Sequence, residues 1–112
     1  MTDCLFCRIA RGEIPATIVA ESPRCLAFRD IAPQAPVHVL VIPRAHQGSL
    51  NDLADAATFG EMGALAQEVA RREGVSDSGY RCVVNTGADG GQTVGHLHLH
   101  VLGGRPLGWP PG

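Results

Sequence analysis

The stretch GHLHLHVLGG, residues 95–104, alternates imidazole with aliphatic side chains. Alternation with period two is the pattern of a strand, whose successive side chains point to opposite faces. His96, His98 and His100 therefore share one face, and Leu97, Leu99 and Val101 share the other. A strand with one aliphatic face belongs to a sheet covered on that side, so the imidazoles line the opposite surface. At ~3.3 Å per residue the outer two histidines are ~13 Å apart, whereas a Zn–N bond is only ~2.0 Å long. The three cannot all converge on one metal ion. They suit a groove in which the central ring meets a ligand and its neighbours hydrogen-bond it. Histidine titrates near neutrality, so it can serve there as nucleophile, acid or donor to phosphate.

Immediately upstream, residues 85–93 (NTGADGGQT) combine glycines with hydroxyl and amide side chains. Glycine lets main-chain N–H groups turn toward an anion without a Cβ in the way. A plain strand-connecting turn has the same composition, and adjacency to the histidine strand is what makes this loop a phosphate-site candidate. Further out, residues 16–21 and 24–29 read as strands about a Ser22-Pro23 turn, and 37–42 as a β-branched strand. Between them, residues 31–36 (IAPQAP) form a proline-punctuated loop. Residues 3–11 predict a short helix stopped at Gly12. Residues 52–73 predict a long one: Phe59, Met62, Leu65, Ala66 and Val69 share a face, Asp52 or Asp55 caps the start, and Gly74 ends it. Gly60 and Gly63 weaken this helix but allow another backbone to approach closely. Strands at 81–85 and 94–102 complete the pattern. The expected class is α+β: a mostly antiparallel sheet of about five strands with one long and one short helix.

A chain of 112 residues fits a single domain, 1–112. With 45% hydrophobic and 18% charged residues it has the composition of a packed globule. A net charge of -2, from 9 basic and 11 acidic residues, excludes a broad nucleic-acid footprint. Phosphate must then be held by local groups, which points to a small ligand. The start, MTDCLFCRIARGEIP, is charged and too short in apolar residues for a secretory signal. The run VHVLVIP falls far below the ~20 residues that a bilayer requires, so no membrane partner is expected. The expected compartment is the cytoplasm, where thiols stay reduced, and the cysteines need an explanation other than disulfides.

The form His-φ-His-φ-His-φ-φ, with φ apolar, resembles the signature of the histidine triad (HIT) superfamily. The segments CLAFRDIAPQAPVHVLVIPRAH and GYRCVVNTGADGGQTVGHLHLHVLGGR and the terminal WPPG are similar to its Hint branch, which comprises nucleoside phosphoramidases and nucleotide-binding proteins. The resemblance implies a HIT-like fold that dimerises into a continuous larger sheet. It also implies hydrolysis of purine nucleoside 5′-phosphoramidates through a nucleotidyl-histidine intermediate. On this resemblance His98 attacks phosphorus, His100 hydrogen-bonds the phosphate, and His38 orients His98 through its other ring nitrogen. Asn85, Gly91, Thr93 and the main chain at Val94 hold phosphate oxygens as charge develops. Thr93 stands where many relatives carry serine, and its stiffer hydroxyl is the candidate proton donor to the leaving amine. An apolar slot of Leu5, Phe6, Ile9, Phe28, Ile31 and Leu40 takes the nucleoside, and Asp30 accepts from the ribose hydroxyls. Plain core packing is the rival explanation for Leu5, Ile9 and Phe28, and an Asx-type turn for Asp30. Trp109 resembles a residue that approaches the active site of the other subunit.

Cys4 and Cys7 form C-x-x-C, which alone is either redox-active or inert. Two cysteines with two histidines make the ligand set of a closed tetrahedral zinc site. Similarity to bacterial-type Hint sequences with this N-terminus implies structural zinc on Cys4, Cys7, His46 and His96, pinning the strand that carries His98. No organic cofactor is implied. Cys25 and Cys82 read as small buried hydrophobes within apolar strands. Two alternatives stay open: dinucleoside polyphosphate hydrolysis, as in a sister branch, and a nucleotide-binding regulatory module. A nucleotidyl-hexose transferase is disfavoured because that branch typically carries glutamine in place of His100. A purely structural zinc protein leaves His98, His100 and the glycine loop unexplained.

Overall fold

The computed structural model describes residues 4–112, so the Asp3 end of the predicted first helix lies outside the described residues. Five strands, β1 (Ile18–Glu21), β2 (Cys25–Arg29), β3 (Val37–Pro43), β4 (Tyr80–Val83) and β5 (Leu99–Gly103), form one sheet. Its spatial order is β1-β2-β3-β5-β4, with every neighbouring pair antiparallel. Two helices, α1 (Leu5–Ala10) and α2 (Ala56–Arg72), complete the α+β architecture. Helix α2 packs across β1, β2, β3 and β5 on one face of the sheet.

The central strand β3 is buried along its whole length because both of its faces are covered. Val37, Val39 and Val41 join Met62, Leu65, Ala66, Val69 and Ala70 of α2 in one core cluster. Leu40 and Ile42 point the other way and join Phe6, Leu26 and Phe28 under α1. Each fully buried side chain of this size contributes about 1.5–3 kcal/mol, so the strand between two apolar layers anchors the fold. His38 is carried on the α1-side face of that strand.

Local chemistry sets the helix ends. Asp55 caps α2, accepting from the Thr58 N–H at 2.7 Å, while Asp52 closes a separate 3-10 turn, Leu50–Asp52. Such a cap stabilises a helix by about 1 kcal/mol. Gly74 follows the last turn with φ +73°, a conformation that glycine adopts without strain.

The predicted strand 94–102 enters the sheet only at Leu99. Upstream, the Leu97 N–H donates to the Gln47 carbonyl at 2.6 Å and not to a neighbouring strand. The alternation survives outside the ladder: Leu97, Leu99 and Val101 all belong to the α2-side cluster. The strand expected at 81–85 runs from Tyr80 to Val83, and the one expected at 16–21 starts at Ile18. Cys25 is buried as expected, but Cys82 is exposed, because β4 is the sheet edge and its burial alternates. No helix among the described residues is long and apolar enough to cross a membrane.

Candidate functional site

Two side-chain clusters meet near α1. In the first, Cys4 caps α1, its Sγ accepting from the Cys7 N–H at 3.4 Å, so the C-x-x-C spacing brings both sulfurs to one end of the helix. His96 Nδ1 lies 3.3 Å from Cys4 Sγ and 3.5 Å from Cys7 Sγ, and His46 Nδ1 lies 3.2 Å from Cys7 Sγ. A tetrahedron with Zn–S of about 2.3 Å and Zn–N of about 2.0 Å has S···N edges of about 3.5 Å. All four ligand atoms lie within 4.8 Å of one another, so the cluster has the composition and spacing to hold a metal ion. His96 is wholly buried, and its Nε2–H donates to the Pro43 carbonyl at 2.8 Å. That partner puts the ring proton on Nε2 and leaves the Nδ1 lone pair facing the sulfurs, as a metal ligand requires. Burial lowers the His96 pKa and keeps the ring neutral. Burial, followed by the neighbouring Cys4, raises that of Cys7, and a divalent cation would reverse this by balancing thiolate charge.

The second cluster borders a cavity of about 580 Å³ on the sheet face opposite α2. Leu5, Phe6, Ile9, Phe28, Ile31 and Leu40, the predicted apolar slot, all line it, together with Asp30, Thr93, Val94, His38 and His100. Ile31 is 98% exposed and Leu5 45%, so part of this apolar wall faces open space, as a binding surface does and a core does not. Sequence reasoning missed Ile14, Pro15, Ala16, Arg29, Ala32 and Gln34, which also line the cavity. The run Ile14-Pro15-Ala16 had a usable signal: apolar residues between a helix stop and a strand. Gln34 had none, lying in a loop whose course no periodicity reports.

Asn85, Gly91 and His98 do not line the cavity. Asn85 is half-buried beyond the end of β4. The Gly91 N–H donates to the Ala88 carbonyl at 3.0 Å, so the turn itself uses the amide expected to hold phosphate. Gln92 ties the loop together: its Oε1 accepts from the Gly87 N–H, and its Nε2 donates to the carbonyls of Gly48 and Val94. At Gly90 a Cβ would lie 2.4 Å from the Thr86 carbonyl oxygen, so this tight turn admits only glycine there.

His98, 5% exposed, is flanked edge-on by Phe6 at 5.3 Å and by His100 at 4.9 Å between ring centroids. Its Nδ1–H donates to the His96 carbonyl at 2.7 Å. In the neutral ring the proton is therefore on Nδ1, and Nε2 keeps its lone pair. This corrects the expectation that His38 orients His98: His38 Nε2 lies instead 2.9 Å from His100 Nδ1. Register explains the difference. Leu40 sits opposite His100 and His38 opposite Leu102, so His38 is diagonal to His100 and a further pair away from His98.

His100 Nε2 is buried without a partner in the protein, the one such side-chain atom among the described residues. An unmet buried polar group costs about 1–3 kcal/mol, which a ligand can relieve. Burial, then His98 and His38, push the His100 pKa down to about 4. Burial also lowers that of His38, against the opposing pull of Asp30. Asp30 Oδ1 accepts from the Ala32 N–H at 2.8 Å, which is the Asx-type turn, while Oδ2 lies 3.5 Å from His38 Nε2. Trp109 is 82% exposed, its ring centroid 6.0 Å from the Arg81 guanidinium carbon, and it does not line the cavity of its own chain.

The HIT domain family model matches residues 11–107. A HIT family hydrolase from Legionella pneumophila is 52% identical, with a TM-score of 0.94 over 98% of this chain and 100% of that one. A maize (Zea mays) protein named as a 14 kDa zinc-binding protein is 48% identical over 113 residues, covering 96% of this chain and 87% of its own. A histidine triad nucleotide-binding protein from Candida albicans is 28% identical, with a TM-score of 0.85 over 96% of this chain and 83% of that one. The alternating histidines, the sheet that carries them and these matches agree, and the chain belongs to the HIT domain family.

Proposed function

We propose that the protein hydrolyses nucleoside 5′-phosphoramidates, with a purine nucleoside in the apolar cavity and His98 as nucleophile. The observation that carries this reading is the 2.7 Å hydrogen bond from His98 Nδ1 to the His96 carbonyl, which leaves Nε2 as a fixed lone pair. In the first step the Nε2 lone pair forms a bond to phosphorus while the P–N bond breaks, and the departing amine takes a proton, with Thr93 as candidate donor. In the second, water attacks phosphorus as the bond to His98 Nε2 breaks, and the proton that it gives up restores the Thr93 hydroxyl, which releases the nucleoside monophosphate and returns His98 to its starting tautomer. His100 hydrogen-bonds a phosphate oxygen, which supplies the partner that its buried Nε2 lacks. Asp30, through the carboxylate oxygen not used by Ala32, accepts from the ribose. Thr93 and Val94 line the cavity, and their main-chain amides are the candidates to hold phosphate in place of the Gly91 amide.

The metal proposed for Cys4, Cys7, His46 and His96 is zinc, in keeping with the name of the maize relative and with the soft, closed donor set. When bound, it supplies a rigid link between α1 and the segment leading to His98. This donor set needs reduced thiols, which fits the cytoplasm. A homodimer is proposed through the unpaired edge of β4 and the outer face of α2, where Ala57, Gly60, Gly63 and Ala64 are exposed. The exposed Trp109 would then be free to reach the second subunit.

The test is turnover of adenosine 5′-phosphoramidate against diadenosine tetraphosphate, with His98→Ala as control. Release of AMP from the phosphoramidate, lost in the variant, is the expected result. Preference for the dinucleotide moves the protein to the polyphosphate hydrolases. Negligible turnover of both, with AMP binding intact in wild type and variant, identifies a nucleotide-binding module, the reading suggested by the name of the Candida albicans relative.

A further inference from the structure

His38 Nδ1 lies 3.0 Å from the main-chain nitrogen of Gln34. A main-chain N–H can only donate, so Nδ1 is the unprotonated nitrogen of His38 and the ring proton is on Nε2. That Nε2 faces two acceptors, His100 Nδ1 at 2.9 Å and Asp30 Oδ2 at 3.5 Å. His100 Nδ1 therefore accepts, and the proton of His100 is on Nε2, the buried nitrogen that has no partner. Both rings are held neutral by burial, so each carries one proton and the chain Gln34→His38→His100 runs in one direction.

We propose that the Gln34 main-chain amide is the positioning group that sets this direction, presenting His100 to the nucleotide as a neutral Nε2–H donor, and that Arg105 is the positioning residue that holds the amide in place. The loop at residues 31–36 is exposed except at Ala35, so core packing does little to hold it. Arg105 supplies the tie: its Nη2 donates to the Gln34 carbonyl at 3.0 Å. The preceding Gly104 lies so close to Pro36 that an added Cβ would stand 2.8 Å from the proline Cβ. The end of β5 and the residues after it thus fix the loop that polarises the histidines of β3 and β5.

The same direction decides a second matter. Asp30, His38 and His100 offer ligand atoms within 4.8 Å of one another, a two-histidine, one-carboxylate set. A metal on His38 Nε2 would move the ring proton to Nδ1, where it would confront the Gln34 N–H. The amide therefore reserves this cluster for hydrogen bonding and keeps cations out of the cavity. Only the catalytic consequence of the proposal rests on reading the cavity as a nucleotide site.

The test is a long-range 1H–15N correlation spectrum of the histidine-labelled, zinc-loaded protein at neutral pH, which distinguishes protonated from unprotonated ring nitrogens. His38 and His100 are expected as Nε2–H tautomers and His98 as the opposite Nδ1–H tautomer, with AMP shifting the His100 Nε2–H signal. A dominant Nδ1–H form of His38 or His100 overturns the proposal. In Arg105→Ala, His38 is expected to become a tautomer mixture and AMP affinity to fall about five-fold, the loss of roughly one hydrogen bond. Arg105→Lys should restore the Nε2–H form. An unchanged His38 spectrum in Arg105→Ala removes Arg105 from the proposal, and the wild-type spectrum still decides the role of Gln34. Zinc titration should saturate at one ion per chain; a second ion that erases the His100 Nε2–H signal also overturns it. Expected tautomers without phosphoramidate turnover would leave this inference standing and overturn the hydrolase reading, and the reverse pattern would do the opposite.

Discussion

The two histidine clusters are built from the same residue type on the same side of the sheet, and they differ in what the main chain presents to the far ring nitrogen. At His96 it is an acceptor, the Pro43 carbonyl, which draws the proton outward and turns a lone pair toward two cysteines. At His38 it is a donor, the Gln34 N–H, which pushes the proton inward toward His100. An imidazole becomes a metal ligand or a hydrogen-bond donor according to that one partner. His98 stands between the clusters and follows the first pattern, with a carbonyl at Nδ1 and a lone pair at Nε2.

The sharpest way to separate the clusters is His98→Ala. Turnover should fall by about 10⁴-fold or more, the usual cost of removing a nucleophile, with bound metal per chain unchanged. Metal lost along with activity would show that the clusters are one unit. Removing the metal, by chelation or by Cys7→Ser, should act on stability: a fall in Tm on the order of 10 °C, followed by calorimetry. Persistence of the wild-type Tm after complete metal removal would break the assignment of a structural role to that cluster.

Phe6 touches both sides, edge-on to His96 at 5.9 Å, to His98 at 5.3 Å and to Phe28 at 5.4 Å. Phe6→Ala should cost about 3–5 kcal/mol in denaturant unfolding and weaken both metal retention and nucleotide affinity. An effect on one alone would show that the ring serves only that cluster. Acid should probe the cavity side through His100, whose folded pKa of about 4 lies below its ordinary value near 6.5. Between those values the unfolded chain binds a proton that the folded chain refuses. The His100 contribution is therefore complete above pH 6.5 and is lost as pH falls toward 4. With the metal site intact in both proteins, His100→Asn should flatten that part of the Tm-against-pH curve. The smallest effect is expected on the far side of the sheet: the exposed Glu68–Arg72 pair, one turn apart on α2, should contribute under about 1 kcal/mol, so Glu68→Ala should leave Tm nearly unchanged.

Much of this was legible in the chain. Alternation at 95–104 assigned the faces correctly, because side-chain direction follows the local backbone even where no ladder forms. The aliphatic stripe on α2 and the glycine that ends it were equally local, and so was the conclusion that the three histidines cannot share one metal, since a strand's rise forbids it; setting His96 apart with the cysteines came through resemblance. The apolar slot was legible through resemblance. The burial of Cys82 was misjudged because nothing in its sequence neighbourhood says that β4 lies at the sheet edge.

The sequence by itself determined which side chains are available and which of them share a face, since both follow from composition and from a two-residue period. Only the tertiary structure decided which nitrogen of His96 and of His100 carries the proton. That depends on Pro43 and Gln34, main-chain groups far along the chain from the rings of His96 and His100. Their carbonyl or amide is the same in every residue, so its orientation comes from the path of the backbone and not from the side chain it bears. The sheet register did the same for His38, making it the partner of His100 and leaving His98 to the carbonyl of His96. Period and composition are properties of neighbours along the chain; hydrogen-bond polarity at a buried ring is a property of neighbours in space.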